Sequence, residues 1–222
     1  MVDPIFFDLY ERGRPPWDIG QAQPAFVELA EAGMVKGSVM DLGCGTGDLV
    51  LEMAERGHDA WGIDAVPKAI DRARGKAKAR HLDATFLVGD VLELEHLGVR
   101  FGTILDCGLF HTLSDRERVL YANQITSITR KGGWLHVMAF SDWEDKAWGG
   151  PRRVSQQELL DTFQDGWTVE DIQQARFLTA PTLPIRGHAW LASFRRTAPA
   201  TRRDLRKEVP PLPVPLDALV RR

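Results

Sequence analysis

Short apolar runs alternate with longer amphipathic segments from residue 38 onward. The apolar runs have the length of buried strands and lie at 38–42, 59–64, 84–90, 101–108 and 134–140. The segments between them carry apolar residues three and four positions apart, the spacing of a helix that buries one face. This order is typical of βαβ units around a parallel sheet. The pattern therefore predicts an α/β domain with three layers.

Local signals place the helices and complete the sheet. Helices are expected over 48–56 and 67–79, and a proline opens the second. Ser114 and Ser155 each stand three residues before a glutamate, so each predicts a helix that begins with a capping box. Two further segments alternate and predict antiparallel strands at 168–177 and 188–196. We therefore expect seven strands, mostly parallel, with a C-terminal antiparallel hairpin.

Both ends of the chain fall outside this pattern. The aromatic residues Phe6, Phe7, Tyr10 and Trp17 show no clear period, and a helix is expected only from Pro24 to Ala32. The far end is basic and rich in proline, which favours polyproline II in a linker or surface arm, with partner binding as the alternative. We divide the chain into three segments, an N-terminal lid, the α/β domain and a tail, at 1–36, 37–196 and 197–222.

Composition and charge exclude several classes of protein. The 222 residues are 44% hydrophobic and 27% charged, as in globular domains, and the net charge of −3 is too small for a protein that binds nucleic acid or an anionic membrane. No apolar run approaches a membrane span and the start lacks a signal peptide, so we expect a cytoplasmic protein. Two cysteines and six scattered histidines predict neither a disulfide framework nor a metal site.

A glycine-rich turn carries the strongest chemical signal. Asp41 is followed by Gly43, Gly45 and Gly47, and Asp64 closes the next strand. Glycines let a ligand approach the backbone, and an acid at the end of the second strand can bind both ribose hydroxyls of a nucleoside. The third glycine is one position too early for a dinucleotide motif, and the acid Asp48 would repel a pyrophosphate at the helix N-terminus. NAD is therefore disfavoured, and S-adenosylmethionine, with its cationic amino-acid end, fits better.

The motifs resemble those of the class I S-adenosylmethionine-dependent methyltransferases. VMDLGCGTGDL at 39–49 is similar to their first motif, GID at 62–64 to the second, VGDV at 88–91 to the adenine-binding stretch and LDCG at 105–108 to the fourth. The resemblance spans about residues 37–196 and implies a Rossmann-like three-layer α/β/α sandwich. PPWDIGQAQPAF at 15–26, GLFH at 108–111 and the segment 140–159 further resemble small-molecule members, including thiol, halide and heterocycle methyltransferases.

The resemblance also implies roles for individual residues around the cofactor. The residues implied for the methionine part are Asp41, Gly43, Cys44 and Gly45 of the glycine turn, and the backbone near Cys107 would bind the ammonium group. Asp64, with Ala65 beside it, would bind the ribose. Asp90 would accept a hydrogen bond from the adenine amino group while the amide of Val91 meets the ring. Trp17 and Gln23 would close over the cofactor, although Trp17 is equally compatible with a packing anchor.

His111 is the candidate catalytic residue. It follows the fourth strand closely, so it should reach the edge of the sheet where open α/β folds bind ligands. An ordinary histidine pKa of about 6.5 suits a general base, and a residue that only orients the substrate is the alternative. The predicted function is methyl transfer to O, N or S of a small aromatic or heterocyclic molecule. The alternatives are a non-catalytic cofactor-binding partner protein and, less favoured, an NAD-dependent oxidoreductase.

Overall fold

The computed structural model describes residues 3–144, 150–179 and 187–197. The predicted tail beyond residue 197 therefore lies outside the described residues.

A seven-stranded sheet forms the middle layer. Its strands are β1 (Val39–Leu42), β2 (Ala60–Asp64), β3 (Thr85–Val88), β4 (Phe101–Cys107), β5 (Thr129–Phe140), β6 (Trp167–Arg176) and β7 (His188–Arg196), in the spatial order β3-β2-β1-β4-β5-β7-β6. The first five strands are parallel, and β7 is antiparallel to both β5 and β6. The predicted sheet is confirmed. Its order reverses at β1, so ligands are expected at the carboxyl edge beside β1 and β4.

Six helices accompany the sheet in the described ranges. They are α1 (Pro4–Arg12), α2 (Pro24–Glu31), α3 (Asp48–Glu55), α4 (Pro67–Arg80), α5 (Asp115–Ile128) and α6 (Gln156–Thr162), with short 3₁₀ turns at Leu94–Leu97 and Phe110–Thr112. Both predicted capping boxes are present, at Ser114 and at Ser155. No helix in these ranges is long and apolar enough to cross a membrane.

The helices cover the sheet on both faces, which confirms the three layers. Apolar residues of α2, α3 and α4 pack against one face around Phe26, Met53 and Ile70. Residues of α5 and α6 pack against the other face around Tyr121 and Leu159. Alternate residues of the strands supply both clusters, as the pleat requires.

The first helix corrects the expectation for the N-terminal segment. Asp3 caps α1 by accepting a hydrogen bond from the amide of Ile5, and a proline occupies its first turn. Phe6 and Tyr10 stand four residues apart, so both face α4 and pack against Val66 and Ala69. The helix is too short for its period to be evident in the sequence.

Candidate active site

The glycine turn after β1 is held by the end of β2. The amides of Gly43 and Cys44 donate to the carbonyl of Ile63 at 2.9 and 3.0 Å. Asp64 accepts from the amide of Gly45 at 2.8 Å and from the amide of Val66 at 2.9 Å. Gly43, Gly45 and Gly47 have φ of +69°, +54° and +82°, which favour glycine. Asp64 therefore shapes the turn and also lies at the carboxyl edge of the sheet. Ala65, beside it, is half-buried.

Three carboxyl groups concentrate negative charge beneath this turn. Burial and the neighbouring Asp106 and Asp64 raise the pKa of Asp41 well above its usual range. Burial raises the pKa of Asp64 despite its two amide donors. The Oδ1 atom of Asp41 is buried with no hydrogen-bond partner in the described part of the chain. Such an orphaned acceptor among acids favours a cationic ligand.

Asp106 organises the segment after β4, a role that the sequence analysis missed. Its Oδ1 accepts from the amides of Leu109 and Phe110 at 2.8 and 3.2 Å, and its Oδ2 accepts from the hydroxyl of Tyr121 at 2.7 Å. Burial raises its pKa to about 6. The carboxyl group thus fixes the turn that carries the next residue, His111.

The two thiols, at the ends of the adjacent strands β1 and β4, lie on the same side of the sheet. Cys44 is buried and Cys107 half-buried, both are free, and both belong to the cluster of α2, α3 and α4. Burial raises the pKa of each thiol, and Asp41 raises both further. They flank Asp41 as protonated thiols.

The end of β3 supplies the residues predicted for adenine. Asp90 is half-buried and accepts from the amide of Leu92 at 2.9 Å. Val91 is buried beside it in the apolar cluster, and the amide of Gly89 donates to the carbonyl of Asp64. The ends of β2 and β3 are therefore linked directly.

The N-terminal segment lies over the glycine turn. A Cβ atom built on Gly45 would stand 2.8 Å from the hydroxyl of Tyr10, so only glycine allows this approach. The indole of Trp17 donates to the same hydroxyl at 3.3 Å and packs edge-on against the rings of Phe6 and Tyr10. Burial, with Asp64 nearby, raises the pKa of Tyr10. Trp17 thus packs against Phe6 and Tyr10, and its predicted contact with the cofactor stays a prediction. The sequence analysis did not foresee that the Tyr10 hydroxyl lies beside the glycine turn.

Two interactions hold this segment to the domain. The carboxylate of Asp18 accepts from the hydroxyl of Thr46 in the glycine turn at 2.8 Å. The side-chain amide of Gln23 both donates to the carbonyl and accepts from the amide of Leu178, each at 2.8 Å. Gln23 therefore joins the N-terminal segment to the chain after β6, and its predicted contact with the cofactor stays a prediction.

Asp48 has a charged partner that the sequence analysis did not foresee. Its carboxylate forms an ion pair with Lys76 of α4 at 2.6 Å, and the same lysine donates to Thr46. This ion pair offsets the charge of Asp48 and so weakens the repulsion of a phosphate that the sequence analysis assumed. The argument against a dinucleotide-binding motif then depends on the position of the third glycine.

His111 is buried between aromatic rings at the carboxyl edge of β5. It stacks on Phe140 with ring centroids 4.8 Å apart and meets Phe177 edge-on at 5.9 Å. The amide N–H of Phe140 donates to Nδ1 of His111 at 3.2 Å. Burial, with the charges of Arg118 and Arg153, lowers the histidine pKa to about 3.

This geometry argues against the base role considered for His111. Because Nδ1 already accepts a hydrogen bond, a neutral ring carries its proton on Nε2. The remaining nitrogen can therefore donate a hydrogen bond but cannot accept a proton. His111 suits a residue that orients the acceptor, which was the alternative. The described residues contain no cluster of three metal-ligating side chains.

The fold and this site together define a nucleoside-binding α/β enzyme, and comparison with known proteins assigns the family. Residues 39–133 match the methyltransferase domain family. A 2-heptyl-1-hydroxyquinolin-4(1H)-one methyltransferase from Mycobacteroides abscessus is 43% identical over 73% of this chain and 73% of its own length. The chain therefore belongs to the S-adenosylmethionine-dependent methyltransferases, and its cofactor is S-adenosylmethionine.

Two solved structures extend the comparison. One, described under the conversion of a disulfide bond into a thioacetal group during echinomycin biosynthesis, has a TM-score of 0.81 at 36% identity and covers 88% of this chain and 93% of that chain. The other, a Burkholderia thailandensis 1,6-didemethyltoxoflavin-N1-methyltransferase, has a TM-score of 0.68 at 21% identity over 89% and 92%, and supports the fold alone. The predicted class of small-molecule methyltransferase is confirmed, and an NAD-dependent oxidoreductase is not supported.

Proposed function

We propose that the chain methylates a hydroxyl oxygen on a flat heteroaromatic acceptor. The observation that carries this proposal is the group of three rings, His111, Phe140 and Phe177, beside the end of β4. A Cβ atom on Gly108 would be in ordinary van der Waals contact with the rings of His111 and Phe177, at 3.4 to 3.5 Å, so the end of β4 lies directly against this group. Aromatic walls with few polar atoms are suited to a planar ring system. The hydroxyquinolone named for the 43% identical relative is an acceptor of this kind.

The acidic half of the site is proposed to bind the cofactor. When bound, S-adenosylmethionine supplies a methyl group activated by its positively charged sulfur. Asp41, with its unpartnered Oδ1, and the glycine turn at Gly43, Cys44 and Gly45 suit the cationic methionine end. The same charge pattern supports the backbone of Cys107 as a partner of the ammonium group.

The remaining cofactor contacts follow the ends of β2 and β3. Asp64 would accept from the ribose hydroxyls with Ala65 alongside, and Asp90 would accept from the adenine amino group beside the Val91 amide. Trp17 would cover the site from the N-terminal segment. These residues would hold the reacting atoms in line, and alignment and exclusion of water contribute most of the acceleration in this type of reaction.

The binding half of the proposal is tested at Asp64. Replacing Asp64 with Ala removes a charged acceptor for the ribose, so we expect affinity for S-adenosylhomocysteine to fall by about ten- to a hundredfold in calorimetry. Asp83→Ala, at an exposed position before β3, is the matched control and should bind normally. Circular dichroism must show that both variants are folded. Unchanged affinity in Asp64→Ala would remove the assigned ribose contact.

The catalytic half is tested with labelled S-adenosylmethionine and a panel of hydroxylated azaheterocycles, phenols and thiols. We expect the label to move to a hydroxyl oxygen of the heteroaromatic members. Tight cofactor binding without transfer to any member would instead favour a non-catalytic cofactor-binding protein.

A further inference from the structure

The site has two halves of opposite character. The cofactor half contains Asp41, Asp64 and Asp106 within mutual electrostatic reach. The acceptor half, around His111, contains arginines. Arg118 of α5 and Arg153 of the segment before α6 both act on the imidazole. A positively charged methyl donor suits the first half, and the second half suits a negative group.

Arg118 is an unusual arginine for a soluble domain. Its side chain is only 4% exposed, and its guanidinium lies over the ring of Phe110, 4.2 Å from the centroid. Phe110 immediately precedes His111 in the 3₁₀ turn, so the charge is packed against the turn that positions the histidine. A buried arginine normally has all its N–H groups hydrogen-bonded.

Arg118 does not have all its N–H groups hydrogen-bonded. One nitrogen, Nη1, donates to Glu158 at 3.1 Å, whereas Nε and Nη2 are buried without a partner among the described residues. Glu158 is shared with Arg152, which also binds Asp115, so it does not serve Arg118 alone. Buried and unpaired N–H groups on a cation are costly unless a bound group satisfies them.

The described groups that face His111 include no base for the acceptor. Phe140 and Phe177 do not titrate, and Arg118 and Arg153 can only donate. Asp106 is the carboxyl group of β4, and its two oxygens already accept hydrogen bonds from three donors. His111 itself offers only the Nε2–H group. The described groups around His111 thus provide hydrogen-bond donors and positive charge.

We propose that the acceptor binds and reacts as an anion, with its ionised oxygen held by the Nε2–H group of His111 and balanced by the charge of Arg118. This inference rests on the proposed function and restricts it to acceptors with an acidic hydroxyl. The proton leaves to solvent before binding. A lone pair of the oxyanion then forms the bond to the methyl carbon while the carbon–sulfur bond breaks, and its electron pair stays on sulfur. No protein group removes a proton, and Arg118 determines specificity.

The first test uses acceptors of one shape and different acidity, such as hydroxyquinolines with graded substituents. The dependence of kcat/KM on pH should rise to the pKa of each acceptor and then level, so the inflection moves with the acceptor. An inflection fixed near pH 6–7 for every acceptor, and lost in His111→Gln, would overturn the proposal and restore a histidine base.

The second test removes the counter-charge. Arg118→Gln should raise KM for ionised acceptors by about ten- to a hundredfold, the effect of losing a charged hydrogen-bond donor, and should change KM for an uncharged azaheterocycle much less. Arg118→Lys, which keeps the charge, should recover part of the loss. Arg116→Gln, exposed on the same helix, is the matched control.

Two outcomes separate failure of this inference from failure of the proposed function. Equal loss for charged and neutral acceptors in Arg118→Gln, with normal affinity for S-adenosylhomocysteine, would show that Arg118 only packs the turn and would overturn the inference. Absence of transfer by the unchanged protein to every acceptor would instead refute the proposed function.

Discussion

Asp106 is a residue whose environment controls both structure and pH response. It is fully buried and receives three hydrogen bonds, two from amides and one from Tyr121. These donors and Arg118 favour its charged form, but burial is the larger effect and raises its pKa to about 6. The folded state therefore binds a proton that the unfolded chain has already lost between about pH 4 and pH 6.

The sign of the resulting pH dependence follows from this difference. Because the folded-state pKa is the higher one, the contribution of Asp106 to stability is complete below about pH 4 and is lost as the pH rises through about 6. A shift of roughly two units corresponds to about 3 kcal/mol. In Asp106→Asn this pH-dependent contribution should disappear, whatever constant cost the substitution adds.

Urea unfolding at several pH values measures the effect. The difference in free energy of unfolding between the unchanged protein and Asp106→Asn should change by about 3 kcal/mol between pH 4 and pH 7. Asp165→Asn, at an exposed position, should show no such change. A constant difference for Asp106→Asn would contradict the raised pKa.

At the scale of elements, α1 is attached to α4 by one arginine. Arg72 donates to the carbonyl of Tyr10 at 2.7 Å and to the carbonyl of Gly13 at 2.6 Å. These carbonyls lie at the C-terminal end of α1, where the helix has no internal donors and favours positive charge. The apolar contact between the two helices is small, so this interaction should control how often α1 opens.

Arg72→Met tests this attachment. We expect amide hydrogen exchange in residues 4–12 to accelerate by about tenfold or more, with little change in the core strands, because only local opening becomes easier. Lys68→Met, exposed on the same helix, is the control. If exchange accelerates equally throughout the chain, Arg72 stabilises the whole fold and the N-terminal segment does not open separately.

For the whole molecule, the N-terminal segment contributes little to the two large apolar clusters. The two large apolar clusters draw on residues from Ala22 onward, and the N-terminal segment adds only the small cluster of Phe6 and Tyr10 against α4. The same segment supplies the Tyr10 hydroxyl, which lies beside Gly45 and accepts a hydrogen bond from the indole of Trp17. We therefore expect the segment to matter more for cofactor binding than for folding.

Deletion of residues 1–20 makes this expectation measurable. The truncated protein should keep a single cooperative thermal transition and lose most of its turnover, with weaker binding of S-adenosylhomocysteine, because one wall of the site is missing. Differential scanning calorimetry measures the transition, isothermal titration calorimetry measures binding, and transfer of the labelled methyl group measures turnover. A broad, non-cooperative transition would show that the segment belongs to the core and is not a lid.

The sequence by itself determined the features that depend on neighbours along the chain. Period-two and period-3.6 patterns predicted the seven strands and five of the helices, because burial of one face imposes those spacings. The capping boxes at Ser114 and Ser155 and the glycines of the turn after β1 were predictable for the same reason. Each satisfies a backbone constraint within a few residues. The order of Asp41, the glycines and Asp64 was enough to indicate the cofactor.

Only the tertiary structure decided the protonation and the hydrogen-bond partners of individual side chains. The proton position on His111 depends on an amide 29 residues away in β5, and Asp48 forms an ion pair with Lys76, 28 residues away. Gln23 binds Leu178 across 155 residues. Hydrogen-bond partners and burial set protonation and orientation, and both arise from segments that the fold brings together. A local pattern carries no record of such contacts, so the sequence left open whether His111 is a base or orients the substrate. The hydrogen bond from the amide of Phe140 to Nδ1 favours the second role.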